Sequence, residues 1–124
     1  MSTTRFRRIL WLGAISIACV VGLMIYTWPS GTGEYQHTPD QRYRADAKAL
    51  QRRTLTGKQI HYLEFQVEST ADQTVIWQAT YYPATTDEWI DYGDRSIQFI
   101  HWNDSNTAVS FTLPNQRVLT VPVP

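Results

Sequence analysis

Ile60-His61-Tyr62-Leu63-Glu64-Phe65-Gln66-Val67-Glu68-Ser69, then a polar turn through Gln73, then Thr74-Val75-Ile76-Trp77-Gln78-Ala79-Thr80-Tyr81-Tyr82, sets the fold class. Leu63, Phe65 and Val67 share one parity, as do Val75, Trp77, Ala79 and Tyr81. Period two marks strands that face two different environments. The turn Ser69-Thr70-Ala71-Asp72-Gln73 is too short for a crossover, so the two strands should pair antiparallel.

The same alternation continues towards the C-terminus. Ile97 and Phe99 alternate within Ser96 to Trp102, Val109, Phe111 and Leu113 within Thr107 to Leu113, and Leu119 with Val121 closes the series. Asn103-Asp104-Ser105-Asn106 and Pro114-Asn115-Gln116 are the turns between them. Short connections favour pairing in chain order, so residues 39–124 are expected to form a small, mostly antiparallel β meander, closed as a sandwich or partial barrel. No internal repeat is present.

The opposite parity is unusual. Tyr62, Ile76, Tyr82, Ile100 and Trp102 lie there beside Glu64, Gln66, Gln78 and Gln98, more large apolar groups than a solvated face carries. Either the chain covers this face itself, or the five residues form a surface for a partner protein, with Tyr62 and Trp102 as anchors.

Upstream, Thr38 to Arg53 gives two answers. Thr38-Pro39-Asp40-Gln41 fits a helix start, and Ala, Arg, Lys, Leu and Gln after it are good helix formers. Yet Arg42-Tyr43-Arg44-Ala45-Asp46-Ala47-Lys48-Ala49 alternates strictly, as a strand does. Thr38-Pro39-Asp40-Gln41-Arg42-Tyr43-Arg44-Ala45 resembles the Ser-Pro-Asp-Gly-Arg-Tyr opening of strands in β-propeller blades and in small bacterial envelope proteins, with Gln41 in place of the glycine. Those proteins also carry a strand ending in Trp before a polar turn and another strand, similar to Ile97 to Val109. The resemblance implies a β-domain and no particular activity, and favours a strand over 39–53, with helix as the alternative.

Residues 29–38, with Ser30, Gly31 and Gly33 between prolines and no periodicity, are expected to be a tether. Before them, Ile9 to Trp28 is twenty residues without a charge. At about 1.5 Å per residue this is roughly 30 Å of helix, the thickness of a bilayer's hydrocarbon layer. Trp11 stands near one end and Tyr26 and Trp28 at the other, where amphipathic rings favour headgroups. Arg5, Arg7 and Arg8 precede the span, so the positive-inside rule puts the tail 1–8 in the cytoplasm and everything after Trp28 outside it. The expected location is the inner, cytoplasmic membrane, single-pass, with the C-terminal domain periplasmic or extracellular. Cleavage after Ser16-Ile17-Ala18 would leave an apolar new terminus, acylation of Cys19 lacks the usual preceding Leu, and Arg7-Arg8 lacks the rest of a twin-arginine signal. An uncleaved anchor fits best. Ala14, Ala18 and Gly22 form a small-residue stripe along it, the pattern that lets two such helices dimerise, although such stripes also arise by chance.

Charge divides with the chain. Eleven Lys and Arg balance eleven Asp and Glu over 124 residues, but three of the cations precede the span, leaving eight against eleven beyond it. An acidic outer portion argues against nucleic acid. The single cysteine, Cys19, is inside the span, so the outer portion folds without a disulfide.

Candidate chemistry is sparse. Asp87, Glu88, Asp91 and Asp94 could supply oxygens to calcium, but Thr85 with Glu88 also reads as a capping box for one helical turn ending at Gly93. His37, His61 and His101 have no zinc-like spacing: His37 is expected on the tether, and His61 and His101 on inward parity. No nucleophile motif occurs. The expectation is a non-enzymatic interaction domain displayed for another envelope protein, without cofactor. The alternative is a sensor or carrier domain for a small ligand or calcium, and a hydrolase ranks last.

Overall fold

In the computed structural model, which describes residues 2–92 and 98–124, the Ile60 stretch forms strand β3 (Gln59–Ser69) and the Thr74 stretch β4 (Thr74–Tyr81). They pair antiparallel, with Leu63 opposite Tyr81, Phe65 opposite Ala79 and Val67 opposite Trp77. The inward parity holds for these residues. It breaks at a bulge: Glu68 pairs with Val75, Ile76 is skipped, and Val75 is left exposed rather than inward.

Before them come an apolar helix α1 (Thr3–Thr27), β1 (Ser30–His37) and β2 (Tyr43–Arg53), and after them a short helix α2 (Thr86–Tyr92), β5 (Ile100–Trp102), β6 (Ala108–Thr112) and β7 (Val118–Pro122). One sheet has the order β1-β2-β3-β4 and the other β5-β6-β7, so both are meanders and neither closes into a barrel. Segment 39–53 is therefore strand from Tyr43 onward, not helix. Tertiary packing overrides the helix propensity of its alanines because a small-residue strand is what the opposite sheet needs. Ala45, Ala47 and Ala49 are buried and make room for the rings of Phe65 and Phe111, 5.1 Å apart. Trp77 stacks on Phe111 at 5.8 Å, and Leu63, Val67, Phe99, Ile100, Val109 and Val121 complete the core.

The expected tether is a correction. Ser30–His37 pairs with β2 over its whole length, from Ser30 opposite Gln51 to His37 opposite Arg44. Its glycines let two backbones approach: a Cβ on Gly31 would run into the carbonyl of Ala49.

A second correction concerns β5. Ile100 pairs with Phe111 and Trp102 with Val109, so both face the second sheet's core side, and His101, opposite Ser110, is the exposed residue. Two adjacent apolar residues caused the misreading. Phe99 is also buried, just ahead of the strand, where its carbonyl accepts from Thr112. Ile97 lies outside the described residues.

The described chain divides into two compact units. One contains α1 and the hairpin tip Arg52–Ile60. No residue of α1 is buried, and its mean hydropathy of 2.3 over eighteen residues, with its length, makes it long and apolar enough to cross a membrane. Within this unit Arg53 lies over the ring of Tyr26, 5.7 Å from its centre. The other unit contains Ser30–Gln51 and His61–Pro124, the two packed sheets.

Candidate functional site

The two edges of the sandwich differ. On the β1/β5 edge the sheets are stitched together: the Phe99 amide donates to Glu34 Oε1 at 2.8 Å, and the Trp102 indole N–H donates to the Gln36 carbonyl at 3.2 Å. Trp102 also stacks on Tyr43 at 6.3 Å. On the β4/β7 edge a groove of about 340 Å³ remains, lined by Ile76, Trp77, Leu119, Val121 and prolines.

At the end of the stitched edge, two turns enclose a polar cleft of about 440 Å³. The first, between β1 and β2, is built by Thr38, which is fully buried. Its hydroxyl accepts from the amides of Arg42 and Tyr43 at 3.1 and 3.2 Å and donates to Asp40 Oδ1 at 2.5 Å. Gln41, at the position where the resembled motif has glycine, adopts φ 59°, the left-handed conformation. The second turn, between β5 and β6, is held by Asn103, whose Oδ1 accepts from the amides of Thr107 and Ala108 at 2.8 and 3.1 Å.

The cleft walls carry amides, imidazoles and one indole. Asn103 is committed to its turn, Gln98 Nε2 donates to the Ile100 carbonyl at 3.3 Å, and a His101 ring nitrogen meets the Gln98 carbonyl at 3.1 Å. Gln41, Asp104 and Asn106 also line the space, and no hydrogen bond occupies their side chains among the described residues. Gln36 is the telling member. Its Oε1 is buried and has no hydrogen-bond partner, the sole such side-chain atom among the described residues. A buried acceptor without a donor costs about 1–3 kcal/mol, so its retention calls for an explanation.

The residues singled out in the sequence scatter. Tyr62 is buried and Tyr82 is exposed beside it, ring centres 6.2 Å apart; Ile76 sits at the β4 bulge, Ile100 in the core, and Trp102 in the cleft wall. They do not form one face. Of the carboxylates, Glu88 Oε2 accepts from the Ala84 amide at 3.1 Å while the Glu88 amide donates to Thr85 Oγ1 at 3.3 Å, which caps α2. Asp87 is exposed in its first turn; Asp94 and Gly93 lie outside the described residues, as does the Asp91 side chain. Among the described residues no three His, Cys, Asp or Glu side chains group as a metal site. His61 packs on Trp89 at 4.6 Å, and the Trp89 indole donates to the Leu50 carbonyl at 3.0 Å. Ala14, Ala18 and Gly22 lie exposed on α1. His37 and His101 both line the cleft, which sequence distance concealed. The signal that could have found the site was the concentration of Gln, Asn and His at two turns.

No protein-family model, curated protein or solved structure matches this chain.

Proposed function

We propose that this chain is a membrane-anchored, non-enzymatic binding domain whose cleft takes a neutral, polyhydroxylated ligand of the sugar or glycan class. The anchor is α1, with the N-terminus cytoplasmic and the β-domain periplasmic or extracellular, as the cations before the span favour. The orphan Gln36 Oε1 carries the reading. Amide side chains offer donors and acceptors together, and a hydroxyl is likewise both, so an amide-lined cleft suits a ligand of many hydroxyls. Rotation of the Gln36 amide would turn its oxygen to such a ligand. Trp102 supplies the apolar wall on which a ring's C–H face can rest.

The test is Gln36→Leu in the full chain in detergent, with soluble neutral oligosaccharides followed by saturation-transfer NMR. Expected are a stability gain of about 1 kcal/mol, from removal of an unsatisfied acceptor, and loss of the transfer signal. No signal from the unsubstituted protein with any neutral oligosaccharide, or an undiminished signal in the variant, overturns the proposal.

A partner protein is the second reading, favoured by the β4/β7 groove. Both strands are sheet edges, and Ile76 is 39% exposed beside the groove's apolar floor. An extended strand of an envelope protein is the occupant such an edge accepts. Ile76→Lys should then abolish a crosslink formed in intact membranes, and persistence of the crosslink would remove this reading.

A further inference from the structure

We infer that the β2–β3 hairpin tip is a second membrane contact, a basic, Leu-tipped finger that binds anionic phospholipid headgroups at the bilayer face where α1 ends. It requires α1 to sit in a bilayer and is independent of what fills the cleft. Charge is the first support. Arg52, Arg53 and Lys58 lie within seven residues that contain no acid, whereas the remainder of the outer portion has five cations against eleven acids. A net-acidic domain is on balance repelled by an anionic surface, and in this stretch the sign is reversed. Position is the second. The tip belongs to the same compact unit as α1, Arg53 lies over Tyr26, and a Cβ on Gly57 would stand 3.4 Å from the Tyr26 hydroxyl. Tyr26 and Trp28 are the aromatic residues at the end of the span, so the tip lies at headgroup level.

The turn itself is the third support. Thr54 and Lys58 exchange hydrogen bonds, with the Thr54 amide donating to the Lys58 carbonyl at 2.8 Å and the Lys58 amide to Thr54 Oγ1 at 3.1 Å. Gly57, at φ 87°, closes it. So fixed, the turn displays Leu55 with 72% of its surface exposed, the most exposed large apolar residue in the described chain. A lone Leu among three cations matches a headgroup layer, in which the cations meet phosphates and the alkyl group meets the acyl boundary.

The experiment uses the full chain with Cys19→Ala and Thr56→Cys, labelled with an environment-sensitive dye and reconstituted in vesicles containing lipids with a nitroxide at headgroup depth. Quenching should be strong with about 30% phosphatidylglycerol and fall by roughly half or more in pure phosphatidylcholine. It should fall similarly at about 0.5 M salt, where screening shortens to a few ångström. Arg52→Gln with Lys58→Gln should mimic the loss, and Leu55→Ser should reduce it further; circular dichroism checks that these exposed substitutions leave the sheet intact. Quenching that is absent throughout, or that ignores lipid charge, salt and the substitutions alike, overturns the inference. Loss of oligosaccharide binding alone would leave it standing.

Discussion

At single residues the sequence and the structure meet most closely in the turns. Gln73, between β3 and β4, holds φ 54° although it has a Cβ. That conformation costs an L-residue about 1–2 kcal/mol, partly offset in a glycine by unfolded-state entropy, so Gln73→Gly should stabilise the fold by about 0.5–1 kcal/mol, seen as a higher urea midpoint. Asp40 makes a different prediction. The Thr38 hydroxyl first, and the Arg42 amide second, hold its carboxyl below the ordinary 3.8. Because the folded carboxyl is the stronger acid, its contribution is complete above pH 3.8 and is lost as pH falls through the lower folded value. Asp40→Asn should therefore lower the urea midpoint at neutral pH, and the gap should narrow below pH 3.8. An acid-independent gap would show that the charge takes no part. The Thr38-Pro39-Asp40 turn was only half legible in sequence, because a hydroxyl and a carboxylate that bond locally fit a helix start as well as a turn. The orphaned Gln36 was not, since an unsatisfied atom is defined by everything that surrounds it.

At the scale of elements, regular alternation was legible and exceptions to it were not. β3, β6 and β7 present the residues expected, because one buried face fixes parity for a whole strand. The β4 bulge and the break before β5 each shift parity by one, and no local signal announces either. β1 was misread for a definite reason: glycine ordinarily marks a loop, but at position 31 it permits contact with the Ala49 carbonyl. Gly31→Ala should cost about 1–3 kcal/mol by forcing that contact apart. Hydrogen exchange should show the loss in β1 amides first; protection that is unchanged there would mean that the strand tolerates a side chain.

Across the whole molecule, the large aromatic residues are distributed between the two sheets' interior and its seams. Phe65, Phe111 and Trp77 fill the interior, and Trp102 and Trp89 cap its margins through indole hydrogen bonds. Phe111 touches both other rings, so Phe111→Ala should cost about 3–5 kcal/mol, a large share of the 5–15 kcal/mol typical of a domain. A loss below 1 kcal/mol in chemical denaturation would move the centre of the core elsewhere. The proposed anchor has a mechanical consequence through β1. Only Trp28 and Pro29 separate α1 from Ser30, and β1 is an edge strand whose backbone pairs with β2 on one flank and which Phe99 and Trp102 hold by single hydrogen bonds on the other. With α1 held in a bilayer, as proposed, tension along the chain would pass through two residues to the eight residue pairs with β2. The strand that carries Gln36 would then be the first element loaded, so a pull on α1 would reach the cleft before the aromatic interior.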